Sequence, residues 1–112
     1  ALILGTGLGG LAERMSVEVA IDYRDVPGMP LSTVESHAGR LLCGTLGGRR
    51  VAALRGRFHR YEGYALGDVV FPVRLLHALG ARTLIVSNAC GGMHPLWAPG
   101  DLMLIADHLN LL

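Results

Sequence analysis

The sequence predicts an α/β domain built on a mixed sheet. Three observations predict it. Short apolar runs alternate with a stretch of helical periodicity. Two of those runs flank Gly47-Gly48, a strong hairpin signal, so at least one strand pair is antiparallel. A glycine-rich stretch, Gly5-Thr6-Gly7-Leu8-Gly9-Gly10, directly follows the first apolar run, as in a strand-to-helix turn.

The elements follow in order. Residues 1–4 are a short buried strand ending at Gly5. Residues 11–15 leave room for only a turn or two of helix. Residues 17–22 alternate as a strand, and residues 26–30 form a Pro-Gly loop. Residues 41–46 and 50–54 are the hairpin arms. Residues 55–64 make a basic, aromatic, glycine-containing loop. Residues 66–79 carry apolar side chains at Val69, Val70, Val73, Leu76 and Leu79, a helical stripe that stops at Gly80. Asp68 near the helix start and Arg74 and His77 in its later turns suit the helix dipole. Residues 83–86 are a β-branched buried strand, residues 88–100 a long Gly/Pro loop, and residues 101–105 a further strand. No internal repeat or low-complexity linker divides the chain, so residues 1–112 form one domain or part of one.

Composition narrows the function. The 112 residues are 51% hydrophobic and 17% charged, which excludes intrinsic disorder. Mean hydropathy is +0.42, high for a small domain. Either both sheet faces are covered, or apolar surface meets a partner or further chain. A formal charge of +1 is too balanced for a general nucleic-acid or membrane-surface binder. All 10 basic residues are Arg, so P-loop, Schiff-base and general-base lysines are ruled out together. Arg remains, the better bidentate partner for phosphate or carboxylate. Cys43 and Cys90 form no CxxC pair and read as two buried thiols of a reduced, cytosolic protein. No targeting segment or membrane span is visible: the uncharged stretch 83–100 is interrupted by Asn88, His94, prolines and glycines.

Three segments could carry chemistry. The glycine turn fits GxGxxG, with Asp22 or Asp25 near the place of a ribose-binding acid. A dinucleotide site is one reading, but a parallel crossover needs a dozen or more residues, and only 11–16 separate the turn from the next strand. A plain structural turn is a second reading. A loop whose amides and Thr6 hydroxyl hold a simple anion is the third. In the segment Arg55 to Tyr64, an extended chain would turn Arg57, His59 and Tyr61 to one face. Arg gives an oxyanion bidentate donors, and His adds a donor or a proton. A solvated basic loop with aromatic packing, or a basic-aromatic nucleic-acid contact, would explain the same composition. Ser87-Asn88-Ala89-Cys90-Gly91-Gly92 follows a strand, where α/β sheets gather ligands and small residues let backbone amides approach. A sharp turn needs the same small residues. No histidine is identifiably paired with Cys90 as a nucleophile. His37, His59, His77, His94 and His108 show no metal-ligand spacing.

Taken together, several stretches resemble purine nucleoside phosphorylase of the trimeric type. They are Gly5-Thr6-Gly7-Leu8-Gly9-Gly10, Val26-Pro27-Gly28-Met29-Pro30 with Ser32-Thr33-Val34, and His37-Ala38-Gly39. Next come Gly56-Arg57-Phe58-His59-Arg60-Tyr61-Glu62-Gly63-Tyr64 and Asn88-Ala89-Cys90-Gly91-Gly92, then Gly100-Asp101-Leu102 and Asp107-His108-Leu109-Asn110. The match runs in order over nearly the whole chain. The GRFHxYEGY-like stretch is specific, whereas the glycine turn alone is not.

The resemblance implies a phosphorylase-type mixed β-sheet flanked by helices. It implies reversible phosphorolysis of purine ribo- or deoxyribonucleosides in purine salvage, with inorganic phosphate as co-substrate and no cofactor or metal. By that analogy Thr6, His37, Arg57, His59 and the amide of Ala89 hold phosphate, with His59 also the catalytic group. Tyr61 contacts ribose, while Cys90 and Gly91 line the base pocket. The family further implies a cytoplasmic homotrimer in which a neighbouring subunit closes each site.

Several features depart from the pattern. Thr6 stands where Ser is usual, and Ser36 replaces a glycine. Thr6 and Cys90 are closer to the related methylthioadenosine phosphorylases, an alternative assignment, whereas Tyr61-Glu62-Gly63-Tyr64 points to the purine nucleoside branch. Family members are more than twice as long, so residues 1–112 read as the N-terminal portion of one truncated phosphorylase domain, holding a phosphate half-site. The expectation is negligible turnover and self-association of the isolated chain. The remaining alternatives are a non-catalytic phosphate- or nucleotide-binding fragment and a dinucleotide-dependent oxidoreductase fragment.

Overall fold

The Gly47-Gly48 hairpin is the clearest agreement between sequence and structure. Both glycines have positive φ, 57° and 76°, the pair of conformations a two-residue turn matched to strand twist demands. The structure, a computed structural model, describes residues 1–5, 7–30 and 39–111. The hairpin arms are β3 (Arg40–Leu46) and β4 (Arg49–Arg55), paired antiparallel in full register. The other strands are β1 (Leu2–Leu4), β2 (Ser16–Asp22) and β5 (Ile85–Val86). The sheet order is β2-β3-β4-β1-β5, with β1 parallel to both β4 and β5 and β2 antiparallel to β3. The sheet is therefore mixed, as the sequence predicts.

Among the described residues, two helices cover its faces. Helix α1 (Gly9–Glu13) begins on the glycine turn, two residues before the predicted start. Helix α2 (Leu66–Ala78) starts where Asp68 accepts the Ala65 amide at 3.2 Å. It stops at Gly80, whose φ of 94° lets the Ala81 amide turn back to the Leu76 carbonyl at 3.1 Å. Neighbouring residues of the central strands point to opposite faces and are both buried. Ile3, Leu41 and Leu54 join Leu76 of α2, together with Tyr23, Met29 and Phe58. Leu4, Leu42 and Ala53 join Ala12 and Met15 beside α1. Both faces of the sheet centre are thus covered, which accounts for part of the high hydropathy.

Four expectations need correction. The side of α2 that packs is Val69, Phe71, Pro72, Leu75 and Leu76 rather than the predicted stripe; Val73 is exposed because it lies on the opposite side of Leu76 from Pro72 and Leu75, and Leu79 because it stands just past the helix end. The strand at 83–86 shrinks to Ile85–Val86 and is exposed, since among the described residues it has a ladder neighbour, β1, on one side only. Residues 101–105 form no strand: no ladder partner lies beside them among the described residues. The dinucleotide reading of the glycine turn fails on topology. Helix α1 leads to β2 at the far edge of the sheet, antiparallel to its neighbour, rather than to a parallel strand beside β1.

Candidate functional site

Strands β1, β4 and β5 are parallel, so their carboxyl ends lie on one edge of the sheet. The segments leaving them carry Gly5, Arg57 and Ser87. The Gly5 amide donates to Ser87 Oγ at 3.0 Å. A Cβ on Gly5 would collide with the Ser87 carbonyl, so close packing of the two segments requires glycine there. Arg57 completes the junction by donating from Nη1 to that same Ser87 carbonyl at 2.7 Å.

Arg57 also organises the residues after it. Its Nε donates to His59 Nε2 at 2.9 Å. Arg has no acceptor, so Nε2 must accept, and the ring proton is assigned to Nδ1. Nδ1 lies 3.2 Å from Glu62 Oε2, the acceptor that this tautomer needs. The same carboxylate oxygen accepts the His59 backbone amide at 2.8 Å. Glu62 reaches back because residues Arg60–Glu62 form one 3₁₀ turn. Gly63 closes the turn at φ 95°. The Tyr61 ring stacks on His59 with centroids 4.7 Å apart and 19° between planes.

The predicted convergence of Arg57, His59 and Tyr61 is therefore present, although residues 60–62 turn rather than extend. Beneath it lies an aromatic support. Phe58 is buried between Tyr23 (centroids 5.7 Å apart) and Tyr64 (5.1 Å, edge to face). Phe58 points inward while Arg57 and His59 point to the edge, the alternation of an extended strand end.

The third segment is less organised. Ala89, Cys90 and Gly91 follow Ser87 closely, but all three are exposed. Asn88 Nδ2 donates to the Ala89 carbonyl at 3.3 Å. Cys43 and Cys90 are both free thiols. Cys43 is half-buried, but Cys90 is exposed, against the expectation of two buried thiols, since the segment after β5 packs on little. Thr6 and His37 lie outside the described residues. Among the described residues no three His, Cys, Asp or Glu side chains gather as metal ligands do. No helix among them is long and apolar enough to cross a membrane.

The sequence reading places Glu62 and Ser87 in candidate stretches but assigns neither of them a role. Glu62 aligns His59, and its signal was present: an acid three residues after a histidine, inside a turn closed by glycine. Ser87 accepts Arg57 through its backbone, which no side-chain pattern announces.

The arrangement is a cationic and hydrogen-bonding cluster at the carboxyl edge of a parallel strand set, where α/β folds bind anions. A guanidinium offers such a ligand a planar fork of donors. Known proteins resemble the chain along nearly its whole length. A purine nucleoside phosphorylase of Rattus norvegicus is 53% identical over 111 residues, covering 99% of this chain and 38% of its own length. Purine nucleoside phosphorylase 1 of Geobacillus stearothermophilus is 53% identical over 109 residues, covering 97% and 40%. A purine nucleoside phosphorylase solved with ribose-1-phosphate superposes with TM-score 0.82 at 44% identity, over 89% of this chain and 37% of that one. The Schistosoma mansoni enzyme solved with inosine gives TM-score 0.80 at 40% identity, over 89% and 35%. The chain thus spans about two-fifths of the length of these curated relatives. The family model of the phosphorylase superfamily matches residues 1–111, and with the mixed sheet and the Arg57 cluster in place, the chain belongs to that superfamily.

Proposed function

We propose that this chain supplies the phosphate-holding part of a purine nucleoside phosphorylase site. The reaction is transfer of a pentosyl group to inorganic phosphate. A phosphate oxygen bonds to the anomeric carbon as the glycosidic C–N bond breaks, its electron pair leaves with the purine, and the base takes up a proton. In the transition state the sugar is positively charged, and a phosphate anion fixed beneath it stabilises that charge. The anion must be held without being neutralised, which suits a guanidinium better than an ammonium.

In this reading Arg57 and His59 bind phosphate with Thr6, His37 and the amide of Ala89. Arg57 turns part of its fork from His59 to the anion, and His59, held by Glu62, is the group closest to the chemistry. Tyr61 meets the ribose; Cys90 and Gly91 flank the base. No cofactor takes part. A cytoplasmic homotrimer, with neighbouring subunits closing each site, completes the proposal.

The observation that carries it is the Arg57–His59–Glu62 chain docked on Ser87 at the carboxyl edge of β1, β4 and β5. Calorimetry tests it. The chain is expected to bind inorganic phosphate, and Arg57→Ala is expected to weaken binding at least about tenfold, since charge-assisted bonds contribute about 1.5–3 kcal/mol each. Phosphate and a purine nucleoside are expected to bind with synergy, and NAD not at all. Phosphate binding that survives Arg57→Ala overturns the reading. Turnover by the 112-residue chain alone is expected to be negligible, and a coupled assay at enzyme-like rates would overturn that.

A further inference from the structure

Arg57 is flanked by two residues that answer to one buried side chain. Tyr23, only 4% exposed, sits in the 3₁₀ turn Tyr23–Asp25 that follows β2. Its hydroxyl donates to the Gly56 carbonyl at 2.6 Å. Its ring packs on Phe58, tilted by 43°. Its backbone amide donates to the Gly39 carbonyl at 3.0 Å. Tyr23 therefore holds residue 56 through its tip and residue 58 through its face, with Arg57 between them.

The geometry around this grip is tight. A Cβ on Gly39 would run into the Tyr23 ring. Gly56 has φ 106°, a conformation open to glycine, and a Cβ there would lie 3.4 Å from Gly39 Cα. Burial pushes the Tyr23 phenol pKa up, so the hydroxyl remains a donor throughout the neutral range. The Gly56 carbonyl and the Arg57 amide belong to one planar peptide unit. Fixing that carbonyl fixes the plane from which Arg57 departs.

We infer that Tyr23 is a positioning residue for Arg57: through its hydroxyl on the Gly56 carbonyl and its ring on Phe58, it sets the direction in which the guanidinium leaves the backbone. The inference rests on reading Arg57 as a phosphate ligand. Tyr23 touches no reacting atom; it acts through the backbone on either side of one that does.

Tyr23→Phe tests it, because the ring stays and only the donor goes. Phosphate affinity, measured by calorimetry on the full chain, is expected to fall about tenfold, the scale of a displaced ligand or one lost hydrogen bond. Affinity for a purine nucleoside without phosphate is expected to stay within about twofold, well under the effect of one hydrogen bond. A folded Tyr23→Phe chain with unchanged phosphate affinity overturns the inference. So does an equal loss of both affinities, which would mark a merely structural role. Arg57→Ala separates the two levels. If it spares phosphate binding, the phosphate reading itself fails. If it abolishes binding while Tyr23→Phe does not weaken it, only the positioning role fails. Should Tyr23→Phe not fold, hydrogen exchange on the unaltered chain decides. Coupling is reciprocal, so phosphate is expected to slow exchange of the Tyr23 amide as well as those around Arg57. Protection confined to residues 57–59 would overturn the inference.

Discussion

The segments that follow β4 and β5 leave the same edge of the sheet, yet they differ in almost every physical respect. After β4, residues 56–64 are anchored by a buried phenylalanine, a tyrosine hydroxyl, a guanidinium and a carboxylate, each with a named partner. After β5, residues 88–111 are all exposed, and Met93, Leu102 and Leu104 are at least 96% exposed despite being apolar. The strands they leave differ as well. Strand β4 is seven residues long and lies between β3 and β1; β5 has two residues and one neighbour. A loop is ordered by what packs against its stem, and a central strand supplies neighbours on both sides.

The comparison can be broken or sharpened by substitution. The largest effect is expected at the root of the ordered segment. Leu54, 1% exposed, lies near the end of β4 in the cluster that holds Tyr23 and Phe58. Leu54→Ala is expected to cost about 2–5 kcal/mol of stability, read by denaturant unfolding. A loss below about 1 kcal/mol would show that the β4 stem is not what holds the site. Gly39→Ala should come next, at about 1–3 kcal/mol, because a methyl group there displaces the Tyr23 ring. Gly48→Ala probes only the distant hairpin turn and is expected to cost about 1 kcal/mol without changing phosphate affinity. Arg50→Ala breaks an exposed pair with Glu18 at 3.4 Å and is expected to stay within about 0.5 kcal/mol. Leu102→Ser is expected to leave unfolding unchanged, within about 0.5 kcal/mol, while reducing self-association in ultracentrifugation. A cooperative loss of stability there would mean that the segment after β5 packs as firmly as the one after β4.

Much of the ordered region was legible because its signals are local. Gly47-Gly48 encodes a turn through backbone freedom alone, and Gly80 encodes a helix stop in the same way. Arg57, His59 and Tyr61 are two residues apart, so the period of an extended chain brought them together on paper. The short span 11–16 between the glycine turn and the next strand argues against a dinucleotide crossover, and the place of β2 at the far edge agrees. What was misread depended on neighbours. Residues 83–86 and 101–105 look like buried strands by composition, but a strand is buried only when another element lies on it. Val73 and Leu79 fit the helical period, but the face that packs is turned toward Phe71 and Leu75.

The amino-acid sequence determined the mixed α/β class, the hairpin, the span of α2 and the side chains of the Arg57 loop, because each follows from backbone freedom or from periodicity within a few residues. Only the tertiary structure decided that the Ser87 carbonyl receives Arg57, that Glu62 fixes the ring proton of His59 and that Tyr23 grips both flanks of Arg57. Those contacts join residues as distant in sequence as Tyr23 and Phe58, through backbone atoms as often as side chains, and a backbone acceptor carries no residue-specific mark in the sequence.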